Sequence, residues 1–193
     1  MPQTKPEQIK EALQLIDPVL WVVTSKDENG HGGLIATFVS NISIVKDCPR
    51  FLIGIAKHHH TWTLIENSGC CALHLFSKQS VNEVQRLGTC SGKQIDKLAG
   101  FQITHWATGA PILSDAVAAF DCKVESRFDS GDRTVYLLEV VEGHQLGTEP
   151  AMQFSDLWEH ADLEQKNLMK NQLAAHGQID QLAIEQFRQQ NSI

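Results

Sequence analysis

Gly32-Gly33-Leu34-Ile35-Ala36-Thr37-Phe38-Val39-Ser40-Asn41-Ile42-Ser43 runs on to Pro49-Arg50-Phe51-Leu52-Ile53-Gly54-Ile55-Ala56-Lys57-His58-His59-His60-Thr61. An apolar strand enters a patch of small hydroxyl and amide side chains. A second apolar strand, 51–57, ends in four consecutive residues that can carry positive charge. Thr61 stands where a helix over about 61–68 should begin, with Gly69 to stop it. The first half offers hydrogen bonds beside apolar surface, which suits a flat ring with polar edges. The second offers cations, a hydroxyl and helix-start N–H groups, which suit a phosphate. Together they suit a nucleotide-like cofactor.

Upstream, Thr4-x-x-Glu7 has capping-box spacing, and Ile9, Leu13 and Ile16 recur at helical spacing. A first helix is expected over about 5–16, ended by Asp17-Pro18. Val19 to Thr24 is nearly all apolar and reads as a strand buried on both faces. Asn29-Gly30 is a turn signal, so this strand forms a hairpin with the next.

Downstream, Cys70–Phe76 reads as a strand and Ser80-x-x-Glu83 as a second capping box whose helix stops at Gly88. Gln94–Leu98 reads as a short helical turn. Over 116–128, Ala118, Phe120, Cys122, Val124 and Phe128 alternate with Asp121, Lys123, Glu125 and Arg127, the pattern of a half-buried antiparallel strand. Asp129–Asp132 is a hairpin turn, and a return strand is expected over 133–141 with Val135, Leu137 and Val141 on one face. Beyond Pro150 the chain turns helical and Gln-rich, in two amphipathic stretches separated at Gly177. Strand-turn-strand order with helices between predicts a mainly β protein, an antiparallel barrel with peripheral helices. No G-x-G-x-x-G follows a strand, so a doubly wound dinucleotide fold is not supported.

The 193 residues suit one domain, 1–149, with a helical extension, 150–193. A formal net charge of −7 without basic runs argues against nucleic-acid binding, and no apolar run is long enough to span a membrane. Five cysteines, an odd number with no C-x-x-C, read as reduced thiols in a cytoplasmic protein and mostly as core.

These residues resemble the flavin reductase-like family with the FMN-binding split barrel, over about 15–147. The markers are Ala36–Ser43 with Pro49, Lys57-x-x-His60-Thr61, Asp96–Phe101, Gly109–Leu113 and the hairpin Gly131-Asp132-Arg133-Thr134. The resemblance implies a homodimeric six-stranded Greek-key barrel with FMN, or FAD, near the dimer interface, and reduction of flavin by NADH or NADPH. It implies that Ala36, Thr37, Phe38, Val39, Ser40 and Asn41 line the ring edge. Gly54 would allow close approach to the ring. Lys57, His60 and Thr61 would meet the phosphate, and Lys97 would reach the flavin. Where the family often has His after Gly-Asp, this chain has Arg133, a candidate contact to cofactor or substrate. That change, with Phe38 and Val39, bears on nicotinamide use more than on flavin binding.

Each feature has a plainer reading. Thr37, Ser40 and Asn41 also suit a solvent-facing strand, and Lys57 to His60 a solvated strand end. No metal is expected, because adjacent histidines of a regular strand cannot all converge on one ion. His74 reads as a satisfied core histidine. No nucleophile–base pair is visible and catalytic residues stay unassigned, as befits a protein whose cofactor carries the chemistry. The leading expectation is an NAD(P)H-dependent flavin reductase-like oxidoreductase. The alternatives are an FMN carrier or storage protein, and a barrel that has lost flavin.

Overall fold

The computed structural model describes residues 4–89 and 95–191. Cys90 and Gln94 lie outside the described residues. Helix α1 (Lys5–Leu13) precedes strands β1 (Trp21–Asp27), β2 (Gly30–Ala36), β3 (Val39–Asn41) and β4 (Arg50–Ala56). Helix α2 (His60–Ser68), strand β5 (Cys70–Leu75) and helix α3 (Val81–Thr89) follow. Then come β6 (Ile103–His105), β7 (Pro111–Leu113), the long pair β8 (Ala118–Asp129) and β9 (Arg133–Gln145), and helices α4 (Phe154–His160) and α5 (Leu163–Gln190).

The main sheet is antiparallel throughout, in the order β2-β1-β5-β8-β9-β4-β3. Its two edge strands are consecutive in the chain, Ala36 ending one and Val39 starting the other. Laid flat, seven strands would hold their edges ~29 Å apart. Three residue steps reach at most ~11 Å. The sheet therefore curls into a half-barrel. The main sheet has seven strands where the resemblance implies six; the extra one, β3, has only three residues.

The curl gives two cores. Trp21, Val23, Phe51, Ile53, Ile55, Leu73, Cys122, Tyr136 and Leu138 fill the inside. Leu20, just before β1, and Val22, on its opposite face, pack outside it with Phe76, Val84, Leu87, Leu98, Met152, Leu157 and Met169. The near-continuous apolar run of β1 follows from this two-sided burial. His74 is fully buried between the layers; its Nδ1 lies 3.2 Å from the Val22 carbonyl and its Nε2 accepts the Leu113 N–H at 3.1 Å. It is a satisfied core histidine, as expected.

Three sequence expectations change. In β9 the buried residues are Thr134, Tyr136 and Leu138, one step out of phase with the expected Val135, Leu137 and Val141. The β4 register pairs Ile53 with Tyr136 and Phe51 with Leu138, so the inward residues of β4 set the phase of β9. In β8, Asp121 is buried rather than exposed, because the 106–113 segment covers that face: Asp121 Oδ2 accepts from Thr108 N at 2.7 Å, and Thr108 Oγ1 donates to Oδ1. Bulges at Asp121/Cys122 and Val124/Ser126 break the alternation further on, leaving Phe128 63% exposed. Cys70, Cys71 and Cys122 are buried thiols, but Cys48 is exposed.

The third change is in the tail. Gly177 does not end a helix; α5 runs through it for 28 residues. Asp162 caps its start by accepting from Gln165 N at 2.8 Å. Met169 docks in the outer core and Phe187 lies against Gly131 at the β8–β9 turn. An internal glycine costs only about 1 kcal/mol relative to alanine, which caps and docking outweigh.

Because a Cβ at Gly177 would meet nothing within 4 Å, Gly177→Ala is expected to stabilise the protein by about 1 kcal/mol. Thermal unfolding should show a midpoint roughly 2–4 °C higher. An unchanged or lower midpoint would mean that α5 is interrupted there.

Candidate functional site

A cavity of about 300 Å³ opens between β2, the start of α2 and the tail. Its floor is Gly33–Ile35, one wall is His58–Thr61, and Leu87, Gly88 and Lys97 close the opposite side. Phe154 and the α5 side chains Met169, Gln172, Leu173 and His176 roof it. Small residues make the close packing around it possible. A Cβ on Gly32 would lie 3.2 Å from Leu64 Cδ1 and 3.4 Å from His60 Cδ2, and one on Gly88 would lie 2.6 Å from Ile35 Cδ1.

The α2 start forms one wall. His59 is its N-cap in extended conformation, no side chain caps the helix, and its first turn has no acid. The first N–H groups of a helix lack partners within it and carry the positive end of its dipole. His60, Thr61 and Lys97 line the cavity beside them. Thr61 and Lys97 are 3% and 8% exposed, so the site is poorly hydrated. The charge and donors suit an oxyanion of phosphate type.

The other expected residues are distributed differently. Lys57 does not line the cavity; its Nζ lies 2.6 Å from Asp129 Oδ1 on the neighbouring hairpin. That pairing holds the Asp129 carboxyl below its ordinary pKa. Ala36 is buried at the end of β2, Thr37 and Val39 are half-buried, and Phe38, Ser40 and Asn41 are exposed at the rim. Arg133 sits 4.9 Å over the Phe38 ring, and a Cβ on Gly54 would lie 3.6 Å from both side chains. Two carboxylates hold Arg133, Asp132 at 2.5 Å and Asp180 of α5 at 2.8 Å. Thus His60, Thr61 and Lys97 share one cavity, while Phe38, Gly54 and Arg133 form a second cluster tied to α5.

Sequence reading missed the third member of a histidine group. His58 and His59 lie in the turn after β4, and His176 meets them from α5, with ring centroids 4.3–5.3 Å apart. No spacing signal could link positions so far apart in the chain. Burial lowers the pKa of His58 and that of His59, the latter to about 3, with neighbouring positive charge adding to the effect. Both rings are neutral at pH 7.

A curled antiparallel half-barrel beside an acid-free helix start, with the buried Lys97, the half-buried His60 and Gly33 in the cavity floor, defines a small mainly β protein with a cavity suited to an oxyanion. Comparison with known proteins makes the class specific: residues 13–156 match the model of the flavin reductase like domain, and the chain belongs to that family. It is 27% identical over 157 residues to an FMN reductase (NADH) from Pseudomonas syringae, covering 80% of this chain and 86% of that one. It is 27% identical over 138 residues to the actinorhodin polyketide dimerase of Streptomyces coelicolor, covering 70% and 75%. Among solved structures, the NADH:FAD oxidoreductase of Streptomyces globisporus superposes with a TM-score of 0.69 at 18% identity, over 81% of this chain and 92% of that one. A flavin reductase domain protein from Arthrobacter gives 0.69 at 20% identity, over 77% and 90%.

His74 supplies a pH test of the fold. Its pKa is lowered to about 4, first by burial. The unfolded chain therefore binds a proton more readily than the folded one, and stability is lost as pH falls from about 6.5 towards 4. For so buried a group the loss is about 3 kcal/mol. Urea unfolding should give a steeper fall between pH 7 and 4.5 in the wild type than in His74→Asn; equal slopes would refute the assignment.

Proposed function

We propose that this chain binds FMN, with FAD as the alternative flavin, and passes electrons from NADH or NADPH through it to an acceptor. The observation that carries this reading is the single cavity shared by the acid-free α2 start, His60, Thr61 and Lys97. It supplies what a flavin phosphate requires. The names of relatives support the reading, an FMN reductase (NADH) and an NADH:FAD oxidoreductase among them.

A bound flavin supplies the hydride acceptance and onward electron transfer for which protein side chains have no equivalent. The chain's part is to bind and orient. In this reading Lys97 neutralises the phosphate, and His60, Thr61 and the helix N–H groups hydrogen-bond to it. Ala36 to Asn41 and Gly54 take the ring edge, and the α5 roof excludes water. Lys57 contributes less than its position in the sequence implies, because Asp129 already engages it. No side chain is assigned a proton-transfer role.

We read the architecture as the six-stranded Greek-key split barrel of the family, with β3 a continuation of β2 beyond the break at 37–38. Residues 1–149 then form the barrel domain and 150–193 its extension. The exposed apolar residues of the half-barrel's outer face support a homodimer: Phe38, Leu52 and Phe128 are 61%, 38% and 63% exposed there, and Ile44 is wholly exposed. In register, Leu52 pairs with both Ser40 and Leu137, and Phe128 with Val135, so apolar side chains line one continuous face. A second copy of the chain would cover it. The free thiols of Cys48, Cys70, Cys71 and Cys122 suit a reducing cytoplasm. No helix among the described residues is long and apolar enough to cross a membrane.

The second reading, an FMN carrier without nicotinamide-dependent activity, draws on the Asp180–Arg133 pair at 2.8 Å, which draws α5 over the Phe38–Gly54 cluster. Adding NADH or NADPH to the flavin-loaded protein decides between them. Bleaching of the flavin absorbance supports the reductase, and unchanged absorbance with both donors supports the carrier.

Two further outcomes test the site and the assembly. Lys97→Ala should remove a charge-assisted bond of roughly 1.5–3 kcal/mol and weaken FMN about 10- to 150-fold, leaving riboflavin nearly unaffected. Lys57→Ala should have the smaller effect, and equal loss of FMN and riboflavin binding in Lys97→Ala would refute phosphate contact. Light scattering should give twice the 21.5 kDa chain mass. Phe38→Asp combined with Leu52→Asp should halve the measured mass, whereas a wild type that is monomeric at micromolar concentration ends the dimer reading.

A further inference from the structure

We infer that His58, His59 and His176 form a binding site for a borderline divalent transition ion of the zinc, cobalt or nickel type, with Asp180 positioning His58. One potential ligand atom from each of the three imidazoles lies within 4.8 Å of the others. A tetrahedral ion with bonds of about 2.1 Å needs its ligand nitrogens about 3.4 Å apart, so rotation of long, partly exposed imidazoles by an ångström or so completes the set. The objection to adjacent histidines holds for a regular strand, but His58 and His59 lie in the turn after β4, where both rings can face the same way. His176 and Asp180 are four residues apart on α5 and so share one helix face.

A second observation points to a missing partner. Both ring nitrogens of His58 and Oδ1 of Asp180 are buried without a hydrogen bond. Asp180 Oδ1 lies 3.2 Å from His58 Nδ1, close but poorly aligned, while Asp180 Oδ2 takes the Arg133 guanidinium at 2.8 Å. A carboxylate beside one ring nitrogen of a histidine that packs against other imidazoles is the arrangement that orients metal-binding histidines. A small improvement in alignment would satisfy Asp180 and Nδ1, and an ion would satisfy Nε2. Buried polar atoms left unpaired are otherwise costly.

The donor chemistry selects the ion. Neutral imidazole nitrogens favour zinc, cobalt, nickel and copper, whereas magnesium and calcium require oxygen. Lys97 and Arg133 oppose a cation here, and Asp180 and Asp132 offset Arg133. Three protein nitrogens leave one tetrahedral position for water or an anionic oxygen, and the imidazoles line the same cavity as Thr61 and Lys97. A bound ion would also fasten α5 to the turn before α2. None of this rests on the flavin reading.

The test uses the full chain without a histidine tag, stripped with chelator and free of flavin. Cobalt(II) chloride should bind at one equivalent with the visible absorption of a low-coordinate site, zinc(II) should displace it, and magnesium(II) should not. Zinc should raise the unfolding midpoint. His176→Ala should weaken cobalt at least about tenfold, and Asp180→Asn should weaken it about 10- to 100-fold, as expected for loss of an orienting carboxylate. His160→Ala, altering a histidine that faces Asn82, should change nothing. Absence of cobalt binding by the wild type would overturn the proposal. So would undiminished binding and an undiminished zinc-induced shift in His176→Ala, with circular dichroism confirming that the variant is folded.

Discussion

The two-residue link between β2 and β3 is the constraint on which this structure depends. Those strands stand at opposite edges of the sheet order, and so short a link requires the edges to come together. Curling then separates the inner core around Tyr136 and Phe51 from the outer core around Phe76 and Leu87. It also puts the ends of β2 and β4 next to each other, so the glycines of one and the histidines of the other face a common space. The cavity is a product of closure: its floor comes from β2, its wall from the turn after β4, and its roof from Phe154 of α4 and the α5 side chains.

Most of the framework could be read from local pattern, because the relevant signals are local. The Asn29-Gly30 turn, the apolar run of β1, the Gly69 stop of α2 in left-handed conformation and the Asp129–Asp132 hairpin all reflect interactions within a few residues. What escaped was set at long range. The phase of β9 depends on its register with β4, and the burial of Asp121 depends on a segment that donates to it from 106–113. Alternation cannot reveal a strand whose two faces are covered by different partners. Gly177 was misleading because propensity acts weakly and docking at Met169 and Phe187 acts over the whole helix.

The candidate site divides in the same way. His60 and Thr61 were legible because a helix start declares itself in sequence, and Lys97 joined them through the family resemblance. The engagement of Lys57 by Asp129 was not legible, since it depends on how far the β8–β9 hairpin extends past the end of β4. Nor was the arrival of α5. Its side chains bring a third imidazole and a further carboxylate to a region that already holds Arg133 with Asp132 and the neutral rings of His58 and His59. The tail thereby changes the electrostatics of the barrel's cationic end.

Helix α5 is also a strut. At about 1.5 Å per residue its 28 residues span about 42 Å. Along that length only Met169 is buried. Farther on, attachment passes to Gln172, which donates to the Thr89 carbonyl, then to His176 and Asp180, and last to Phe187 on Gly131. Such a rod is clamped at one end and pinned lightly at the other, so it should fray from its C-terminus inward. The first turns to open release the hairpin glycine, and the next release Arg133 and His58 together. Exposure of both side chains is thus governed by one local unfolding equilibrium, and amide exchange along α5 should slow progressively towards Met169.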